Sequence, residues 1–246
     1  MATVMAMERK KKVELRGIVR QVYKNMGKAI ADYNMLNDKD RVLVAVSGGL
    51  DSLSLLKLFQ MRQERIPIRF EIIACFVDAN FIKVDADCLT GYFKDSGVEY
   101  VAKKMFLEEN EINCFWCSWN RRKILFETAK EYNCNKVALG HNLDDISETI
   151  LMNLCFFGEV SSAPPALEMF KGKIKIIRPL CYVAKKDITY FSSKFSFPDT
   201  HYECVYGKNT RRQLIKETIK NLEKNCPYVK KNIFRALKKI RKDYLV

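Results

Sequence analysis

The chain has 246 residues, of which 48% are hydrophobic and 29% charged, and these fractions fit a globular protein with one sizeable core. No apolar run is long enough to cross a bilayer, which excludes a membrane-spanning protein. The chain starts with a short apolar stretch followed by a basic run, the reverse of the order in a secretion signal, which favours a cytoplasmic protein. The net charge of +14 is concentrated towards both ends and predicts a polyanionic partner such as nucleic acid.

Strands and helices alternate along the chain. After a basic helix near 13–36, strands are predicted at 42–46, 68–77, 99–102, 136–140 and 173–177, with helices at 51–63, 84–96, 118–132 and 143–157. This alternation predicts an α/β fold with a parallel five-stranded sheet and helices on both faces. From residue 184 the pattern is helical and basic. We divide the chain into a basic N-terminal helical segment (1–38), an α/β domain (39–182) and a basic helical C-terminal region (183–246).

A glycine- and serine-rich turn, Ser47-Gly48-Gly49-Leu50-Asp51-Ser52, joins the first predicted strand to its helix. At such a turn the backbone N–H groups and the positive end of the helix dipole point at one spot and form an anion site. Two adjacent glycines let the backbone approach a phosphate closely. The Walker pattern is absent, so the turn is either a different phosphate-binding loop or an ordinary strand–helix connection.

The pattern S-G-G-x-D-S after a strand resembles the signature of the PP-loop ATP pyrophosphatases. Gly140 to Thr149, read as G-H-x-x-D-D-x-x-E-T, is similar to the second motif of those members that modify tRNA. The resemblance implies adenylylation of a substrate with release of pyrophosphate. It implies an ATP site formed by Ser47, Gly48, Gly49, Asp51, Ser52, the backbone at Phe76, Val77 and Asp78, and Gly140. It also implies Mg²⁺ and catalytic roles for Asp51, Asp144 and Asp145, although carboxylates at a helix start are also ordinary caps.

Nine cysteines in a cytosolic protein argue against a disulfide framework. Several are interpreted as buried apolar residues in structural segments: Cys75, Cys134, Cys155 and Cys181. Cys114 and Cys117 differ, because they stand in C-F-W-C directly before Ser118, which is predicted to cap the next helix. A lone C-x-x-C is typical of a redox pair or of half a zinc site, and no second C-x-x-C completes such a site here.

The segment from Cys114 to Leu125, C-x-x-C-S-x-x-R-R-x-I-L, resembles a motif of the tRNA 2-thiocytidine synthetase family. The segment Ile177-Arg178-Pro179-Leu180 also resembles that family. The resemblance implies a 4Fe–4S cluster on Cys114, Cys117 and Cys204, with one iron open to the sulfur that is transferred. It implies tRNA as substrate, a sulfide or persulfide donor, no membrane, and a role for Arg121 in sulfur delivery or RNA binding. It also allows a homodimer.

The predicted reaction is therefore ATP-dependent tRNA thiolation, in which the 2-oxygen of a pyrimidine is adenylylated and then replaced by sulfur. Three alternatives stay open: a cluster-free ligase like lysidine synthase, a non-catalytic iron–sulfur RNA-binding protein, and a sulfur transferase that acts on a small molecule. Two positions depart from the family pattern. Leu50 replaces a common lysine, and Cys204 stands without the second cysteine of a C-x-x-C form.

Overall fold

A computed structural model describes residues 13–108, 112–200, 203–204, 211–241 and 243, with the backbone alone for Cys114, Glu203 and Cys204. The strands are β1 (Arg41–Ala45), β2 (Glu71–Ala79), β3 (Ile82–Lys83), β4 (Glu99–Met105), β5 (Lys136–Ala138), β6 (Ala166–Met169), β7 (Ile174–Ile177) and β8 (Glu203–Cys204). The helices are α1 (Gly17–Asp32), α2 (Leu50–Gln63), α3 (Ala86–Ser96), α4 (Cys114–Glu131), α5 (Leu143–Phe157), α6 (Lys185–Ser192), α7 (Arg211–Glu223) and α8 (Val229–Ala236).

The large sheet has the strand order β4-β2-β1-β5-β7-β6. Its first five strands are parallel, which confirms the predicted α/β fold, and β6 adds a sixth, antiparallel strand at the β7 edge. The sequence analysis missed β6 because this short strand is half exposed and shows no apolar run. Separately, β3 and β8 form a two-stranded antiparallel sheet in which Ile82 pairs with Cys204.

Side chains from the two faces of the sheet enter two separate hydrophobic clusters. In β1, Val42 and Val44 contribute to the first cluster and Leu43 to the second, as expected where successive side chains point to opposite faces. The first cluster also contains apolar side chains of α1, α2, α3, α5, α6 and α8. The second contains Leu125 and Ala129 of α4. Thus α4 packs on the face of the sheet opposite α2, as the prediction of helices on both faces requires.

The C-terminal region is not continuously helical, contrary to the sequence-based prediction. Helix α6 ends at Ser192, and Pro198 follows in a non-helical stretch that leads to β8. Proline lacks the N–H that a helix interior needs and disfavours helical backbone in the preceding residue. Beyond β8, α7 and α8 pack against α5 and place basic side chains near its start. Within the described part of the chain, no helix has both the length and the apolarity to cross a membrane.

Candidate active site

A cavity of about 500 Å³ opens where the carboxyl ends of β1, β2 and β5 meet. The turn after β1 lines one side through Ser47, Gly49 and Asp51, and α4 lines another through Ser118 and Arg121. Ligands of parallel α/β sheets bind at this edge, and the volume suits a nucleotide. The cavity therefore brings the predicted phosphate loop and the helix of the C-x-x-C pair to one place.

The turn between β1 and α2 has the backbone that its glycines allow. Gly48 has a φ of +90°, and a Cβ there would lie 2.8 Å from Oγ1 of Thr200, which donates a hydrogen bond to the Gly48 carbonyl. Ser52 Oγ accepts a hydrogen bond from the N–H of Ser47 at 3.1 Å and donates to the Gly49 carbonyl at 2.8 Å. Gly49, the N-cap of α2, has no side chain to cap the helix, so an anion can take that role.

Close packing at Gly140 brings the end of β5 against the start of α2. A Cβ at Gly140 would lie 3.2 Å from the backbone nitrogen of Ser52. Phe76 and Val77 of β2 line the cavity, whereas Asp78, the third residue predicted there, is not among its lining residues. Neither is Gly48, which is buried beside Thr200. The structure thus brings most of the predicted nucleotide-binding residues together.

The carboxyl group of Asp51 is largely buried, and its two oxygens differ in their contacts. Burial raises the pKa of its carboxyl group, and the hydrogen bond and charge of Lys185 partly oppose this shift. Lys185 Nζ lies 2.6 Å from Oδ2, while Oδ1 is buried and makes no hydrogen bond of standard geometry with the described residues. The side chain of Asn142 is close enough to the carboxyl group to lower its pKa. A buried acceptor without a partner is costly, and a bound cation would satisfy it.

The other predicted catalytic carboxylates lie in the first turn of α5. Asn142 caps the helix, and Asp145 completes a capping box by accepting from the Asn142 N–H at 3.0 Å. Asp145 Oδ1 and Glu148 Oε2 each lie 2.9 Å from the guanidinium of Arg212 in α7. Asp145 therefore has both a capping role and a charged partner, and it lines the main cavity.

Asp144 faces a second, smaller cavity of about 300 Å³ that Asp51 and Asp145 also line. It is not among the lining residues of the main cavity. Its Oδ1 lies 2.6 Å from Nζ of Lys230, and its Oδ2 accepts from the backbone N–H of Lys185 at 2.8 Å. The cations beside the acidic residues therefore come from α6, α7 and α8. The sequence does not indicate Lys185, Arg212 and Lys230 as site residues, because nothing sets them apart from the other lysines and arginines of a basic region.

His141 lines the main cavity beside the end of β5 and is neutral. Burial and the neighbouring Arg178 lower the pKa of His141 to about 4. Nε of Arg178 donates to Nδ1 of His141 at 3.2 Å, which assigns the remaining ring proton to Nε2. Arg178 is itself buried and donates to the Pro164 carbonyl at 2.5 Å. His141 thus serves as a hydrogen-bonding group and carries no charge at neutral pH.

The C-x-x-C pair lies within the first turn of α4. The predicted cap at Ser118 is wrong: Asn113 caps the helix by accepting from the N–H of Trp116 at 2.9 Å, so α4 begins at Cys114. An asparagine is as good a cap as a serine, and it stands earlier in the chain. The side chain of Cys117 is partly buried beside the second hydrophobic cluster. Cys204 lies in β8, opposite Ile82, whose side chain lines the main cavity.

The remaining cysteines are mostly structural, as predicted. Cys75, Cys134 and Cys181 are buried, and burial raises their thiol pKa values to about 12, 11 and 12. Cys155, also predicted to be buried, is exposed near the end of α5, where the helix presents that side to solvent. Among the side chains that the structure describes, no three of His, Cys, Asp or Glu are arranged to hold a metal ion. The side chains of Cys114 and Cys204 lie outside that set.

Arg121 is the predicted catalytic arginine, and it lines the main cavity one turn after the cysteine pair. Its Nε is buried without a hydrogen-bond partner among the described residues. Arg122 lines the same cavity and is exposed. Two guanidinium groups thus stand opposite the phosphate loop, where they can bind phosphate.

Comparisons with known proteins agree with this geometry. The family profile of the PP-loop domain matches residues 18–222. A tRNA-cytidine(32) 2-sulfurtransferase from Geotalea uraniireducens (strain Rf4) is 36% identical over 236 residues, which cover 92% of this chain and 94% of that protein. The enzyme with the same name from Dechloromonas aromatica (strain RCB) is 38% identical over 229 residues, covering 89% and 79%. The solved U34-tRNA thiolase NcsA from Methanococcus maripaludis, with its [4Fe-4S] cluster, has a similar fold, with a TM-score of 0.73 over 90% of this chain and 78% of that one at 24% identity.

Proposed function

The chain belongs to the PP-loop family and, within it, to the tRNA-cytidine(32) 2-sulfurtransferases, and we propose that it uses ATP to replace the 2-oxygen of a cytidine in tRNA with sulfur. Position 32 is the proposed target because the relatives are named for it. One observation carries the proposal: the phosphate loop after β1 and the helix of the C-x-x-C pair line the same cavity.

The first proposed step is adenylylation. The cytidine 2-oxygen attacks the α-phosphate of ATP, a bond forms between that oxygen and phosphorus, and pyrophosphate leaves. The uncapped start of α2 and the N–H groups around Gly49 stabilise negative charge on the phosphates. In the second step sulfide attacks C2 and forms a carbon–sulfur bond, the C2–O bond breaks, and AMP leaves with that oxygen. The target base must leave its stack to reach the cavity, and unpaired loop nucleotides do so most easily.

Mg²⁺ fits the site through Asp51. The ion needs few protein ligands when phosphates and water complete its octahedral shell, so a cluster of three protein carboxylates is unnecessary. Asp51 lines the cavity, and its buried Oδ1 makes no hydrogen bond of standard geometry with the described residues. We propose Asp51 as the main protein ligand, with Asp145 as a second one if Arg212 moves. Asp144 keeps a supporting role, because it holds the backbone of Lys185 beside Asp51.

The chemistry of the three cysteines fits a 4Fe–4S cluster, which would supply an open iron for the sulfur. Cys114 and Cys117 lie in the first turn of α4, where the helix dipole favours thiolate. Cys204 lies in β8, and its partner strand β3 contributes Ile82 to the cavity wall. Cys114 and Cys117 therefore belong to a helix that borders the cavity, and Cys204 belongs to the strand paired with β3, which borders it as well. The adjacent Arg121, with a buried Nε, is proposed to bind the phosphate of ATP or tRNA near the cluster.

The test is to purify the protein without oxygen, measure iron and acid-labile sulfide, and digest the tRNA product for nucleoside mass spectrometry. We expect 2-thiocytidine and about four irons per chain. Cys114→Ala, Cys117→Ala and Cys204→Ala should each lose iron and thiolation, whereas the exposed Cys88→Ala in α3 should keep both. Full activity without iron, or a lysine adduct on the nucleoside, would overturn the proposal in favour of a ligase. The sulfide or persulfide donor, the homodimer and the cytoplasmic location stay predictions of the sequence.

A further inference from the structure

Three exposed aromatic rings cluster at the start of α4. Phe115, Trp116 and Trp119 expose 67%, 46% and 46% of their surface. The rings pack edge to face. The centroid distance is 5.6 Å between Phe115 and Trp116 and 5.8 Å between Trp116 and Trp119. Nζ of Lys123 lies 5.9 Å from the Trp119 ring centroid. We call these four residues the aromatic patch.

The aromatic patch adjoins the main cavity. Ser118, Arg121 and Arg122 face the cavity from the same two turns of α4. Phe115 and Arg122 are seven residues apart and so lie on one side of the helix, which joins the patch to the cavity rim. A strand of RNA whose target base enters the cavity would therefore pass over this helix.

We propose that the aromatic patch stacks unpaired bases of the tRNA loop next to the target nucleotide. This inference rests on the proposed function and adds a recognition surface to it. Single-stranded RNA is held by aromatic rings that stack on bases and by cations that bind phosphates. The patch offers both groups, since Lys123 and Arg122 accompany the rings, and the whole chain carries a net charge of +14.

The chemistry favours RNA over a protein partner. The exposed apolar groups of the patch are aromatic rings, which present π-faces to any base, and cations stand beside them. Glu127 lies 4.0 Å from Lys123 as a weak, exposed pair, which leaves the ammonium open to a phosphate. A duplex hides its base faces, so the patch should recognise a loop and bind a paired stem poorly.

Tryptophan fluorescence tests the location of RNA directly. The chain has two tryptophans, and both belong to the patch, so their emission reports on this surface alone. We expect a tRNA anticodon stem-loop to quench this emission in the complete, cluster-containing protein, and a fully paired RNA of equal length to quench it little. Trp116→Phe and Trp119→Phe leave one reporter each and keep an aromatic ring, so both variants should still be quenched and should bind RNA nearly as wild type.

Binding measurements test the strength of the contact. Trp116→Ala and Trp119→Ala should each weaken binding of a labelled stem-loop at least about fivefold, with the salt dependence unchanged because no cation is lost. Lys123→Gln should reduce the salt dependence. The matched control is Tyr190→Ala in α6. Tyr190 is 56% exposed, and Nζ of Lys194, four residues later, lies 4.5 Å from its ring centroid, just as Lys123 follows Trp119 by four residues. This control should bind RNA as wild type.

The outcomes separate this inference from the proposed function. Quenching by the stem-loop with weakened binding of the alanine variants supports the patch, even if the product is not thiolated. Two results together would overturn the inference while leaving the proposed function intact: thiolation with wild-type KM for tRNA in the Trp116→Ala/Trp119→Ala double variant, and no quenching of the wild-type protein by the stem-loop. Equal quenching by paired RNA would also overturn it.

Discussion

Nζ of Lys185 lies 2.6 Å from Oδ2 of Asp51, and the backbone N–H of the same lysine donates to Asp144 at 2.8 Å. One residue at the start of α6 therefore joins the phosphate loop after β1 to the first turn of α5. Burial raises the pKa of Asp51, and Lys185 limits the rise. By opposing the effect of burial, the lysine favours the ionised carboxylate, the form that a cation would bind.

Replacing Lys185 by glutamine should move the pH dependence of the reaction. Without the ammonium, the pKa of Asp51 rises further, so the carboxylate is lost at a higher pH as the solution is acidified. We expect the acid limb of kcat/KM for ATP to shift to higher pH. The measurement is pyrophosphate release as a function of pH at saturating tRNA.

The neighbouring Lys186→Gln is the matched control for this experiment. Lys186 is exposed and has the same charge, so its removal tests the effect of net charge alone. The control profile should overlay that of the wild type. An unchanged acid limb in Lys185→Gln would show that the ionisation of Asp51 does not limit the reaction.

The two glycines of the phosphate loop should respond differently to alanine. Gly48 has a φ of +90°, and its Cβ would lie 2.8 Å from Thr200 Oγ1, so Gly48→Ala should destabilise the fold by about 2 kcal/mol. At Gly49, the nearest atom to a new Cβ is Ser47 Oγ at 3.6 Å and φ is −70°, so the fold should tolerate alanine. Thermal unfolding separates the two variants.

ATP binding adds a functional contrast between the same two positions. Gly49 lines the cavity, so a methyl group there should weaken ATP binding without changing the melting temperature. Calorimetric titration of ATP measures this effect. If Gly49→Ala binds ATP normally, the backbone at this position does not approach the phosphates.

Local patterns predicted most of the fold and most of the residues that meet in the main cavity beside the turn after β1. The five parallel strands each have a compact apolar run, and glycine occupies two crowded positions: Gly48 with a φ of +90°, and Gly140, where a Cβ would lie 3.2 Å from the Ser52 nitrogen. Long-range pairing was not predictable in this way. Strands β3 and β8 have two residues each and pair Ile82 with Cys204, which is far away in the sequence, so no periodic pattern predicts this pair.

The cations of the site illustrate the same limit. The sequence contains 43 lysines and arginines, and no local feature selects Arg212 or Lys230 among them. Their roles arise only because α7 and α8 fold back onto the start of α5. The cap of α4 was predicted wrongly for a different reason: Asn113 and Ser118 are both good N-cap residues, so residue type alone does not choose between them, and the structure has Asn113 as the cap.

His141 should make stability depend on pH. Its pKa is lowered to about 4 in the folded protein, compared with about 6.5 when unfolded, so the unfolded chain binds the proton more readily between these values. The stabilising contribution is present above pH 6.5 and is lost as the pH falls towards 4. Between pH 7 and pH 5 we expect a loss of about 2 kcal/mol from this residue.

Urea unfolding at pH 7 and pH 5 measures that loss. His141→Gln should reduce the difference in the free energy of unfolding between the two pH values, because glutamine does not titrate. The sequence has two histidines, and the second, His201, lies outside the described residues, so His201→Gln is the control. An identical pH dependence in the wild type and His141→Gln would contradict the assignment.

Arg212 should hold α7 against α5 through its paired contacts with Asp145 and Glu148. Arg212→Ala leaves the Glu148 carboxylate, only 11% exposed, without its cation, and we expect a loss of about 1–2 kcal/mol in the free energy of unfolding. Arg211→Ala is the control, since Arg211 stacks over Phe156 and Phe157 instead.

A double-mutant cycle identifies the contact that is responsible. If the cost of Arg212→Ala comes from the unpaired carboxylate, adding Glu148→Gln should recover much of it, because the neutral amide needs no cation. Urea unfolding of the four proteins gives the coupling free energy, which we expect to be at least about 0.5 kcal/mol. Strictly additive effects would mean that Arg212 stabilises α7 through the packing of its aliphatic stem, and that its ion pair with Glu148 contributes nothing to stability.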